Sequence, residues 1–171
     1  MRVITSFDDL DPVPWANGAG ETTELVSLAD SRTLTPTLLR WRLSIARLDH
    51  PAAFSPLPGM ERTFLPIGAE VVLDIDGQVH FVTQDQPQRF RGEQNVSLVE
   101  LGAACFALNL MVETDDQAGS GQGGLEMSTR STGSGLFAVT WDTGSGHPGF
   151  QLREFERSDV LPDHLGVAIL H

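Results

Sequence analysis

Across residues 40–48 apolar and polar positions alternate, with Trp41, Leu43 and Ile45 pointing one way and Arg42, Ser44 and Ala46 the other. A period of two is that of a β-strand with one wholly apolar face. Val71, Leu73 and Ile75 alternate up to Asp76-Gly77, and Val79 and Phe81 resume beyond it. Asp-Gly between two such runs predicts a hairpin closed by a type I′ turn. Val96 and Leu98 mark another strand. From Cys105 to Val112 both alternating faces are largely apolar, as in a strand buried on both sides. Residues 136–141, 150–155 and 167–170 add three further short strands. Residues 29–39 are interrupted by Pro36, and no long helix is predicted.

Short strands at regular spacing, punctuated by 17 Gly and 10 Pro, predict an all-β fold of sandwich or barrel type. The 171 residues fit one domain. Residues 113–124, rich in Gly, Ser and Asp, read as a mobile linker-like loop. It divides the chain into halves of about 1–112 and 125–171.

Composition narrows the chemistry. All 11 basic residues are Arg, and Lys and Tyr are both absent. Schiff-base chemistry, a P-loop lysine and a catalytic phenol are thereby excluded. The net charge of −12 disfavours nucleic acid and anionic membranes as partners. It leaves room for a small anion, because one desolvated Arg outweighs distant, screened carboxylates. The lone Cys105 forms no internal disulfide, which fits a cytoplasmic protein. The N-terminal residues do not read as a signal peptide. The longest apolar stretch, residues 103–112, is broken by Asn109 and too short for a bilayer core of about 30 Å.

Candidate sites follow from what remains. His50, His80, His147, His164 and His171 form no H-x-H or H-x-x-x-H pair, so no metal site or other cofactor is predicted. His80 reads as a surface or edge residue. Cys105 lies in an apolar strand and reads as an inert thiol. Ser44 lacks a nucleophile-elbow context, and no catalytic residue is assigned. Arg62 follows the Pro58-Gly59 turn and enters the apolar run Thr63-Phe64-Leu65. A guanidinium there needs a partner, because burying it unpaired is costly. That partner is either a ligand carboxylate gripped by a planar fork or a structural acid such as Glu61 or Glu24. Arg42 and Ser44 share the polar face of their strand, which lines an interior cavity or faces water. Asn17-Gly18-Ala19-Gly20 is a turn, or with Trp15, Thr22, Thr23 and Glu24 the rim of a pocket.

These elements together carry a resemblance. Trp15-Ala16-Asn17-Gly18-Ala19-Gly20-Glu21-Thr22-Thr23-Glu24, then Trp41-Arg42-Leu43-Ser44-Ile45-Ala46, then Phe54-Ser55-Pro56-Leu57-Pro58-Gly59-Met60-Glu61-Arg62 resemble motifs of the HutD/Ves family. Phe90-Arg91-Gly92 and Asn109-Leu110-Met111 are similar to that family's later segments, so the likeness spans roughly residues 15–111. The C-terminal third carries no matching motif. The chain departs from the family at Ala19, where a third glycine is common, and at Ala107-Leu108, where an Asp often precedes the Asn-x-Met segment. The resemblance implies a cupin-like architecture of two β-barrel halves packed as one unit, without the clustered His and Glu of metal-binding cupins. It also implies a role in histidine utilisation, binding an acyl amino acid such as N-formylglutamate and regulating the pathway. Arg62 is then the carboxylate clamp, with Trp15, Asn17, Arg42 and Ser44 as pocket neighbours.

The expected protein is thus a non-enzymatic binder of a small anionic metabolite. One alternative is a cupin-type isomerase or hydrolase using Glu24 and one His. The other is an interaction module without a cavity. Free sheet edges also allow pairing into a homodimer.

Overall fold

The computed structural model describes residues 1–114, 122–129, 135–156, 159–160 and 162–171. Residues 115–121, most of the expected linker-like loop, lie outside the described residues. The first strands are β1 (Val3–Ser6), β2 (Val13–Pro14) and β3 (Gly20–Val26), followed by the helix α1 (Leu28–Leu34). Then come β4 (Trp41–Leu48), β5 (Ala52–Ala53), β6 (Met60–Ile67), β7 (Val71–Ile75), β8 (Gln78–Val82), β9 (Gln88–Arg91), β10 (Val96–Leu101) and β11 (Cys105–Glu113). The last four are β12 (Met127–Ser128), β13 (Phe137–Asp142), β14 (Gln151–Glu154) and β15 (Leu165–Leu170). The chain is mostly β, as the alternating pattern requires.

The residues sort into two compact units, Pro12–Leu125, and Met1–Asp11 together with Glu126–His171. The second is one antiparallel sheet in the order β1-β14-β13-β15-β12. Phe150, Leu152, Val139 and Leu170 are fully buried in it.

The larger unit holds a six-stranded sheet, β2-β3-β4-β11-β6-β9, and a four-stranded sheet, β5-β10-β7-β8. A shared core joins them: Ala46, Leu48, Phe64 and Ala107 from the first sheet pack with Val71, Leu73, Ile75 and Leu98 from the second. Among the described residues both sheets are open, which corrects the expectation of closed barrels. The six-stranded ladder stops at β2, two residues long and ending in Pro14, and at the four-residue β9. Edge strands this short, one carrying a proline without an N–H, leave too few hydrogen bonds to close a ring.

The predicted hairpin joins β7 to β8. Asp76 and Gly77 both adopt positive φ (52° and 82°), the geometry of a type I′ turn. Because this turn has two residues, Ile75 pairs with Gln78 and Leu73 with His80. His80 is half-buried on this edge strand, whereas Val79 and Phe81 fall on the outward face and are 59% and 81% exposed. The resumed apolar run therefore changes face, since paired residues share one side of a sheet.

Helix α1 is short and locally specified. Ser27 Oγ accepts from the Asp30 N–H at 3.1 Å while the Asp30 carboxylate accepts from the Ser27 N–H, a capping box. The Ser27 hydroxyl, which also donates to the Asp30 carboxylate, and after it the Ser27 N–H hold that carboxyl below its ordinary range. The helix fastens to the sheet through Trp41, whose indole N–H donates to Thr35 Oγ1 at 2.8 Å.

Candidate functional site

Strand β11 runs between β4 and β6 in antiparallel register, and this fixes which side chains meet. Arg42, Met111 and Arg62 form one cross-strand row, and Ser44, Asn109 and Phe64 form the next. The intervening Leu43, Ile45, Leu65, Leu108 and Leu110 take the opposite face and are fully buried. The polar face of β4 therefore looks into the larger unit, where it lines a cavity of about 370 Å³. Phe54, Ser55 and Leu57 from the segment after β5, and Trp15 to Asn17 from the β2–β3 turn, complete the wall. All five expected site residues, Arg62, Arg42, Ser44, Trp15 and Asn17, line this one cavity.

Arg62 is 8% exposed and has no acidic partner among the described residues. The two acids that the sequence offers as partners, Glu61 and Glu24, are taken. Glu61 accepts from Arg89 at 2.8 Å, and Glu24 pairs with Arg42. The Arg62 guanidinium instead sits over the rings of Phe54 and Phe90, at 5.4 and 5.1 Å from their centroids. Nη1 donates to the Ser55 carbonyl at 3.2 Å, and Nε is buried without a partner. Two aromatic faces compensate such a cation only partly, each by about 0.5–2 kcal/mol. Burial, with a smaller repulsion from Arg42, pulls its pKa down to about 10. This is a desolvated cation that still lacks a counter-ion.

The segment that roofs Arg62 is pinned at three points. Phe54 N donates to Val96 O at 2.9 Å, Leu57 N to Gly92 O at 2.7 Å, and Gly92 N to Met60 O at 2.7 Å. Gly92 is required for this approach, because a Cβ there would lie 1.8 Å from the Leu57 carbonyl oxygen. The fold thus holds Phe54 and Ser55 where they contact the guanidinium.

The remaining walls differ in role. Arg42 is neutralised by Glu24 and touches Met111 Sδ at 3.9 Å. Trp15 donates its indole N–H to Thr22 Oγ1 at 2.8 Å, which fixes the ring as a wall. Asn17 is exposed at the rim, and its Oδ1 accepts from the Ala19 N–H at 3.0 Å to stabilise the turn. Ser44 and Asn109 are 1% and 6% exposed on the cavity floor.

Sequence reasoning did not assign Asn109, Phe54, Ser55, Phe64 or Met111 to a site. Asn109 left a signal, as the one amide interrupting an apolar run. Phe54 and Ser55 open the motif that ends at Arg62, but their contact with its guanidinium depends on strand pairing distant in sequence and could not be read there. Among the described residues no His, Cys, Asp or Glu lines the cavity. Among the described residues no three such side chains gather as a metal ion would require. Among them too, no helix is long and apolar enough to cross a membrane.

Comparison with known proteins identifies the family. Residues 8–139 match the HutD family model. Protein Ves of Citrobacter koseri is 33% identical over 104 residues, covering 59% of this chain and 52% of the relative. Protein Ves of Cronobacter sakazakii is 35% identical over 116 residues, covering 64% and 61%. The chain therefore spans between half and two thirds of the length of these relatives. Among solved structures, HutD from Pseudomonas fluorescens, obtained in a formate condition, superposes with a TM-score of 0.62 at 22% identity, over 97% of this chain and 96% of that one. A conserved protein of unknown function from Pseudomonas aeruginosa gives 0.61 at 18% identity over the same shares.

Proposed function

The chain belongs to the HutD family, and from that membership and the Arg62 cavity we propose that it is a cupin-like binding protein for a small carboxylate. One observation carries the reading: a buried guanidinium faces a cavity with no acid of its own to neutralise it. An anion entering there gains a charge-assisted bond to a pre-oriented donor in a low-dielectric setting. Trp15, Phe54 and Phe64 supply apolar walls, while Asn17 and Arg42 stand at or near the mouth. The ligand class is a small acyl amino acid, N-formylglutamate-like, and the role is to regulate histidine utilisation or a related pathway without turnover. In this reading the two halves of the chain are each cupin-like.

The composition of the wall favours binding over catalysis. A general acid or base must reach the reacting atoms, and among the described residues no carboxylate, imidazole or thiol lines the cavity. Glu24, the carboxylate an isomerase or hydrolase would recruit, is engaged by Arg42.

Calorimetry with N-formylglutamate, formate and acetate on wild type and Arg62→Ala tests the proposal. Loss of the clamp is expected to cost about 2–5 kcal/mol, or at least roughly 30-fold in Kd. Arg62→Lys is expected to weaken binding as well, since an ammonium cannot reproduce the planar donor geometry. Equal affinity in wild type and Arg62→Ala would refute the assignment. Turnover of any of these acids that disappears in Glu24→Gln would replace it with the enzymatic reading.

A further inference from the structure

Ser44 and Asn109 are direct partners across β4 and β11, and both lie on the cavity face. They are nearly inaccessible, yet the protein makes little use of their polar atoms. Asn109 Nδ2 reaches the Ala107 carbonyl only at 3.4 Å, the long limit of a hydrogen bond. Its Oδ1 and the Ser44 hydroxyl have no hydrogen-bond partner among the described residues. Arg62 Nε is the only side-chain nitrogen or oxygen among the described residues that is sealed from the surface without a partner, so the Ser44 hydroxyl and Asn109 Oδ1 are open to the cavity and free to bond what enters it. Neither caps a helix, bridges strands or balances a charge.

Their chemistry specifies what would satisfy them. A carboxamide presents one acceptor and one donor in a plane, and a hydroxyl beside it both donates and accepts. A second carboxylate would use the donors but face Asn109 Oδ1 with its own lone pairs. An apolar group would leave all three atoms unpaired. A neutral secondary amide supplies the donor that the others lack: its N–H donates to Oδ1, whereas its carbonyl, on the opposite edge of a trans amide, does not bond Nδ2 of the same carboxamide at the same time. Asn109 is also a diagonal neighbour of Arg62 on the same sheet face. Such neighbours stand about 7–8 Å apart at the backbone, within the span of one small molecule.

We propose that Ser44 and Asn109 form an amide-reading subsite, so that the ligand presents a planar N–H/C=O group next to the carboxylate held by Arg62. The assignment rests on the reading of Arg62 as the carboxylate holder, and it puts recognition of the acyl group on the cavity floor, not on the exposed Asn17.

The test compares N-acetylglycine with O-acetylglycolate, an ester isostere that lacks only the N–H, by NMR titration of wild type, Ser44→Ala and Asn109→Leu. Wild type is expected to favour the amide by roughly tenfold, because a site built to pair an N–H rejects the analogue without it. The ratio is expected to fall toward one in Asn109→Leu and to shrink in Ser44→Ala, which removes a single oxygen and keeps the fold readable. Equal affinities in wild type, or a ratio that survives both substitutions, would overturn the subsite. Should neither acid bind, or should Arg62→Ala bind both as wild type does, the carboxylate reading fails instead. Titration with neutral N-methylacetamide then decides the subsite alone. Shifts centred on the Asn109 side-chain amide support it, and their absence rejects it.

Discussion

Arg62 donates to the Ser55 carbonyl at 3.2 Å, and no acidic side chain among the described residues comes to meet it. Arg42, in the same cross-strand row, is by contrast matched by Glu24. Two arginines face one cavity, and only the deeper one is left with uncompensated charge.

Arg62→Met is therefore expected to stabilise the protein while abolishing anion binding. Exchanging a poorly compensated buried charge for a similar apolar volume gains about 1–3 kcal/mol, a rise of several degrees in Tm for a chain of this size. Thermal denaturation without ligand checks it. A fall in Tm of the same size would mean that Arg62 is a structural residue.

The depressed Arg62 pKa predicts a pH profile. Between about pH 6 and 9 the guanidinium is charged and the ligand carboxylate ionised, so affinity is flat. Above about 10 the free protein gives up that proton, and affinity falls roughly tenfold per pH unit. For stability the sign is opposite. The folded-state pKa lies below the unfolded one, so the burial penalty is fully present below about 10 and eases as pH rises through it. The stability gap between Arg62→Met and wild type should narrow at high pH, which paired denaturant titrations would measure.

Gly92→Ala is expected to damage the roof over Arg62. The new Cβ would fall 1.8 Å from the Leu57 carbonyl oxygen, so the 54–60 segment must shift. A loss of about 2 kcal/mol or more in stability is expected, together with weaker carboxylate binding. Hydrogen exchange at Leu57 and Gly92, whose amides hold the segment, would rise if the account is right.

Cys105 is 5% exposed, and burial raises its thiol pKa to about 11. At pH 8 its thiolate is scarce as well as shielded. Reaction with a disulfide reagent should be roughly 100-fold or more slower than for free cysteine, becoming fast only on unfolding.

The elements that sequence made legible are those whose pattern is local. Alternation along β4 and the Asp76-Gly77 turn needed no distant partner to be read. Strand β3 escaped notice because its inward positions include Thr23, and because a register irregularity between Glu24 and Val26 breaks the period. Helix α1 escaped because seven residues give no periodic stripe; its specification lies in Ser27, Asp30 and the indole of Trp41. At the site, Arg62, Arg42 and Ser44 could be picked out as polar positions in apolar strands. Whether Glu61 or Glu24 neutralised Arg62 could not, because that depends on register: Glu61 lies opposite Arg91 and bonds Arg89, while Glu24 lies opposite Ser44 and bonds Arg42.

Each central strand carries two independent messages on alternate residues, one written in the hydrocarbon packing and one in the cavity wall. Positions 44, 109 and 111 line the cavity while Leu43, Ile45, Leu108 and Leu110 are buried on the reverse side. Substitution on the cavity side is thereby uncoupled from the framework on the other. A single inserted residue within β4 or β11 would do the opposite, exchanging the two messages and erasing both.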